Sequence, residues 1–213
     1  MKDLDENTKI LSPKNQLNLY GHEENFNKLV ALYLKNGMPN TILFSGSKGI
    51  GKSTFLYHFI NFLLSSNEEN KYSLNNYKIN VSNNSYKLVC DNIHPNVFLL
   101  ENTSSDETIK VDKVRSLLKF LSKTTYNSNI KIVLIDNSEF LNINSSNALL
   151  KALEEPRPNT FFFLVHDSSS KILETIKSRC VHFKYFLNVE KKREILSKLI
   201  NENYPILNTS GVE

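Results

Sequence analysis

"GSKGIGKST", residues 46–54, decides how the rest of this chain is read. It fits G-x-x-x-x-G-K-[ST], the pattern of a loop whose backbone holds phosphate groups. The pattern carries weight only between a strand and a helix. Both flanks comply. "TILFS" (41–45) is a short apolar run rich in strand formers. "STFLYHFINFLL" (53–64) has apolar residues on most faces, which predicts a largely buried helix. Gly46, Gly49 and Gly51 let the backbone turn tightly and bring N–H groups up to phosphate oxygens. The helix that follows aims its free N–H groups and positive dipole end at the same place. Lys52 can reach the β and γ phosphates, and the Ser53 hydroxyl can bind Mg²⁺. The candidate nucleotide-binding set is Gly46, Ser47, Lys48, Gly49, Ile50, Gly51, Lys52, Ser53 and Thr54, with ATP and Mg²⁺ as cofactors.

A phosphate loop of this kind needs a second element, a buried strand ending in an acid beside the cation. "IKIVLID" (130–136) supplies it, so Asp136 joins Ser53 as a candidate Mg²⁺ ligand. The next residue is Asn137, where a hydrolase carries Glu. An amide cannot accept the proton of an attacking water. Glu139 lies two positions further on but leaves the strand end in a different direction.

Outward from these two elements the chain alternates. Apolar residues recur at helical spacing from His22 to Lys35, and Gly37 and Pro39 end that helix. "NVFLL" (96–100), "TFFFLV" (160–165) and "CVHFKYF" (180–186) read as strands. "VDKVRSLLKFLSK" (111–123) is amphipathic, with Val111, Val114, Leu117, Leu118 and Leu121 on one face. "NSSNALLKALEE" (144–155) is a helix stopped by Pro156, a short helix falls near 171–176, and "VEKKREILSKLINEN" (189–203) is a last one. Continuous apolar strands alternating with helices indicate an α/β domain with a five-stranded, mainly parallel sheet, its ligand at the carboxyl ends of the strands. Residues 1–16 read as a polar arm and 17–184 as the nucleotide-binding domain. Within it, the Asn- and Ser-rich stretch 65–93 reads as a loosely ordered surface insertion.

Composition narrows the class. At 213 residues, 40% hydrophobic and 23% charged, the chain is an ordinary globular one. A net charge of +4 allows a nucleic-acid surface without requiring one. Cys90 and Cys180 are too few for a disulfide framework or a four-ligand zinc site, and no zinc is expected. The N-terminus has no apolar leader and no run is long enough to cross a membrane, so a cytoplasmic protein with reduced thiols is expected, with no membrane contact.

The phosphate loop, "IDNSEFLNINSSNALLKALEEPRPNTFFFLV" and "TIKSRC", taken in order, resemble the clamp-loader branch of the AAA+ ATPases. "NALLKALEEP" and the Ser178-Arg179-Cys180 triplet are the most specific marks, and the resemblance covers about residues 17–187. It implies an AAA+ domain followed by a helical lid, of which 185–213 would supply only the start, with the collar domain absent. It implies a place in DNA replication, in a five-membered ring with gamma/tau and delta subunits that loads a sliding clamp onto primed DNA for polymerase III. It also implies that Arg179 acts catalytically in trans, at a neighbour's ATP site. That suits a guanidinium, which stays charged and stabilises γ-phosphate charge. Read without the resemblance, Arg179 could equally form a surface ion pair. His166 and Asp167 end the strand where the family keeps a γ-phosphate sensor, and Gly21 and His22 match its loop near the adenine, a helix cap being the plain alternative. Glu154 and Glu155 sit at a helix C-terminus, where either a cation compensates them, as across a subunit boundary, or solvent does. Three roles fit: a ring subunit with weak or absent turnover of its own, an active gamma/tau-type motor, or a stand-alone nucleotide kinase. Asn137 opposes the second, and the lack of clustered arginines opposes the third.

Overall fold

The computed structural model describes residues 12–101, 108–123 and 130–203. Five strands form a single sheet: β1 (Thr41–Gly46), β2 (Val97–Leu100), β3 (Lys131–Ile135), β4 (Thr160–Asp167) and β5 (Val181–Lys184). Their order is β2-β3-β4-β1-β5, and every neighbouring pair is parallel. β4 is central and its first seven residues are buried, as a strand covered on both faces must be. β2 and β5 are the edges, and β5 is short and mostly exposed.

Side-chain alternation divides the sheet into two cores. Ile42, Phe44, Ile132, Leu134, Phe161 and Phe163 face α1 (Glu23–Leu34) and α2 (Lys52–Leu64). The opposite set, Leu43, Val133, Ile135, Phe162 and Leu164, faces α4 (Val111–Ser122) and α5 (Ile143–Glu154). The short α6 (Glu174–Lys177) adds Ile176 to this second core. α4 meets its expectation, with Val114, Leu117 and Leu121 buried. α2 is buried nearly all round, as its unpatterned apolar sequence requires. The five-stranded parallel sheet with helices on both faces is the architecture that the alternation predicts.

The stretch 65–93 differs from its expectation. It carries α3 (Asn84–Cys90), and Tyr72, Ile79 and Val89 are buried against the α2 face. Its asparagines are structural. Asn83 caps α3 by accepting from the Tyr86 N–H at 2.7 Å, and also accepts from Asn61 on α2 at 2.9 Å. Glu68 accepts from the Asn83 side chain at 2.7 Å and from the backbone N–H groups of Asn84 and Ser85. An Asn-rich composition reads as solvated, but these amides cap and cross-link. Residues 1–11 of the expected arm lie outside the described residues, as do residues 204–213 of the expected lid. α7 (Val189–Asn203) is described and lies beside Gly21, where an added Cβ would stand 2.3 Å from Ile195 Cδ1.

Candidate nucleotide site

β1 ends at Gly46 and α2 begins at Lys52, so residues 47–51 make the loop at the carboxyl edge of the sheet. Gly51 is the N-cap of α2, with φ +87°. Gly49 has φ +80°. Both angles are ones that side chains other than glycine's resist. The helix start therefore presents its N–H groups to the cleft.

Lys52 is 6% exposed. Its ammonium donates to Gly46 O at 2.7 Å and Ser47 O at 2.8 Å, folded onto the loop's own carbonyls. Burial lowers its pKa, and the carboxylates of Asp167, Glu139 and Asp136 oppose that shift. Ser53 donates to both carboxylate oxygens of Asp136, each at 3.1 Å. Hydroxyl and carboxylate, 83 residues apart in sequence, thus meet where a divalent cation would share them. This donor set fits Mg²⁺. Burial raises the Asp136 pKa, while hydrogen bonds from Ser53 and the Asn137 N–H hold it down.

Asn137 occupies the left-handed region, φ +53°, and its N–H donates to Asp136 at 3.0 Å. Asn tolerates that backbone better than Glu would. Glu139 is turned away toward β4, accepting from the Asp167 N–H at 3.3 Å.

The cleft has a volume of about 670 Å³. It is lined by the loop from Ser47 to Thr54, by Asp136, Asn137 and Asp167, and by Ile195, Leu196 and Leu199 of α7. Of the predicted nucleotide set only Gly46 is outside the lining. At the end of β4 it is Asp167 that lines the cleft. The His166 ring is tied up with Ser45 Oγ at 3.2 Å and Ser170 O at 3.1 Å. His22 is buried, and its Nε2–H donates to Ile50 O at 2.7 Å, pinning the start of α1 to the phosphate loop. Burial lowers its pKa, and the bond to Ile50 O and the charge of Glu23 oppose that shift. His22 occupies the α1 cap position without making a side-chain cap bond.

Arg179 stands apart. β1 and β5 pair Ile42 with Val181, and Arg179 lies two residues before Val181, in the turn between α6 and β5, at the amino end of the sheet. Ile42 is itself four strand steps from Gly46, roughly 13 Å. The Arg179 guanidinium donates to Glu154 Oε2 at 3.3 Å from both Nε and Nη2, and to Thr175 O at 3.0 Å. Of the two alternatives for Glu154, a cation compensates it, and that cation is Arg179 of the same chain, in the surface ion pair that is the plain reading of Arg179.

Sequence reasoning missed the apolar wall of the cleft. The spacing of Ile195, Leu196 and Leu199 was its signal, but a helical stripe does not say which surface it covers. Among the described residues no group of three or more His, Cys, Asp or Glu could hold a metal ion. Nor is any helix among them long and apolar enough to cross a membrane.

Fold and site together define a P-loop protein of the AAA+ class. The chain resembles the RuvB Holliday junction branch migration motor of Thermotoga maritima in fold, with a TM-score of 0.52, 18% identity, and 90% of this chain and 55% of that one covered. The chain belongs to the family described as DNA polymerase III, delta subunit, whose sequence model matches residues 21–187. Similar proteins include the DNA polymerase III subunit delta' of Pseudomonas aeruginosa, 42% identical over 95 residues, 45% of this chain and 29% of that protein. The subunit delta' of Buchnera aphidicola is 29% identical over 180 residues, 84% of this chain and 52% of that one. The subunit gamma of Buchnera aphidicola is 32% identical over 161 residues, 74% of this chain and 40% of that one. The chain thus spans about half or less of each of these relatives.

Proposed function

We propose that this chain is a clamp-loader subunit of the delta-prime type, acting in polymerase III replication. It binds a nucleotide with Mg²⁺ in the cleft between the phosphate loop and α7, turns it over weakly or not at all, and donates Arg179 to a neighbouring subunit's ATP site. The observation that carries this reading is the placement of Arg179 at the amino end of the sheet, away from its own cleft. An arginine there cannot serve the nucleotide this chain holds, and its exposed pairing with Glu154 leaves it available to a neighbour. Lys52, Ser53 and Asp136 support binding, with Lys52 for the phosphates and Ser53 and Asp136 for the cation. Asn137 supplies no base for water attack, which favours holding over hydrolysis. The partners are gamma/tau and delta subunits in a five-membered ring, the sliding clamp, and primed DNA gripped through phosphates.

A motor of the gamma/tau type is the second reading, favoured by the intact Lys52 and Ser53. One comparison separates the two: nucleotide binding and turnover by the purified chain, alone and mixed with its ring partners. The delta-prime reading expects binding without turnover alone. Robust turnover by the isolated chain would sink it.

A further inference from the structure

Two acids, Asp136 and Asp167, line the cleft with the phosphate loop. Asp167, at the end of β4, pairs in register with Gly46, the residue where the loop begins. Gly46 O accepts from the Lys52 ammonium at 2.7 Å and from the Ser168 N–H at 3.1 Å. The residue next to Asp167 therefore shares one carbonyl with the loop lysine. Asp167 lines the cleft, and the Ser169 N–H donates to its Oδ1 at 3.0 Å. Glu139 reaches the Asp167 N–H, and Asp136 holds Ser53, the residue after Lys52. The described lining of the cleft contains three cations, Lys48, Lys52 and Lys192. Lys52 alone lies at this end of the loop, and two carbonyls already occupy it.

In a phosphate loop the backbone cradle and helix N-terminus take the inner phosphates. The terminal phosphate of a triphosphate lies further out, toward the strand that carries the cation's acid. Here that outer position falls between the ends of β3 and β4, against Asp136 and Asp167. One carboxylate there is needed for the cation. Asp136 and Ser53 form the cation's protein ligand set here, while Asp167 Oδ1 is held by the Ser169 N–H at 3.0 Å. A terminal phosphate placed there would meet the charge of Asp167, which lines the cleft, and like charges in a partly enclosed cleft repel.

We propose that Asp167 sets the nucleotide preference of this site, making it a nucleoside-diphosphate site that disfavours triphosphate. The inference rests on the nucleotide-holding reading above and deepens it. The β-phosphate of a diphosphate is held by the loop, and no group reaches the acidic outer position. A triphosphate has to place its terminal group there and also draw Lys52 off Gly46 O and Ser47 O.

Titration of the full chain with ADP and with ATP, each with Mg²⁺, followed calorimetrically, tests this. ADP is expected to bind at least about tenfold tighter than ATP. Asp167→Asn and Asp167→Ser should each raise the affinity ratio of ATP over ADP by about tenfold. ATP binding as tightly as ADP in the native chain overturns the proposal. So does an unchanged ratio in a folded Asp167→Asn protein, or a ratio that falls, which would make Asp167 a cation ligand. If neither nucleotide binds the native chain, the nucleotide-holding reading itself fails and takes this one with it.

Discussion

The two ends of the sheet each carry a key cation, and they hold it differently. At the carboxyl ends, Lys52 is buried, bonded to two carbonyls and surrounded by Asp136, Glu139 and Asp167. At the amino ends, the Arg179 side chain is 28% exposed and shares one oxygen of Glu154, which is 59% exposed. A buried charge needs many partners to offset its lost hydration. An exposed pair is weakly held and can be exchanged for another anion at little cost. Lys52 is thus locked into the loop, whereas Arg179 sits in an exposed pair that another anion could replace.

That contrast can be broken most decisively at Arg179. In a reconstituted ring, Arg179→Ala should lower steady-state ATP hydrolysis about a thousandfold at the neighbour's site, the order a trans arginine contributes. The same substitution should change the chain's own unfolding free energy by less than about 1 kcal/mol, because the pair with Glu154 is exposed. Loss of this chain's own nucleotide binding instead would erase the distinction between the two ends.

The cleft end is tested by Lys52→Ala, which removes the one cation at the start of α2. Nucleotide affinity, read with a fluorescent analogue, should fall by about a hundredfold. Thermal stability should fall as well, since Ser47 O loses its donor and the neighbouring acids lose their cation.

A third test concerns what lies behind the phosphate loop. His58 on α2 is fully buried, with Nδ1 3.0 Å from the Tyr72 hydroxyl and Nε2 donating to Gln16 O at 3.1 Å. Burial pushes its pKa down from 6.5 to about 4, so the unfolded chain binds the proton more readily than the folded one. Stability from this group is complete above 6.5 and is lost as pH falls toward about 4. The expected slope is up to about 1.4 kcal/mol per pH unit. Urea unfolding at a series of pH values should show it, and His58→Gln should flatten it.

The smallest effect is expected at Asn137. Asn137→Glu forces a longer side chain into the left-handed backbone at φ +53° and should cost about 1 kcal/mol of stability. Asn137→Gly should not. If the Asn137→Glu protein shows no such cost and turns over faster in the ring, the backbone is not what keeps a catalytic acid out of this position.

Much of this was legible along the chain because the signals are local. A glycine-rich loop between an apolar strand and a helix has few alternative uses, and apolar runs of five residues alternating with amphipathic helices specify a parallel sheet. The capping pattern of Asn83, ahead of "NSYKLVC", was equally local, and the Asn-rich composition around it hid it. The cleft's apolar wall was not legible. Whether Ile195 meets Gly21 depends on where α7 falls after β5, and nothing within either segment encodes that. The partner of Glu154 was likewise undetermined, since Arg179 lies 25 residues away and is brought to it by α6 and the turn before β5.

By itself the sequence determined the fold class, the phosphate loop and its companion Asp136, because each depends on residues a few positions apart or on the periodicity of a single element. Only the tertiary structure decided which acids stand around Lys52. That follows from the strand order β2-β3-β4-β1-β5. That order brings Asp167 beside Gly46 and leaves β5 at the edge, and it is set by how the two cores pack as a whole.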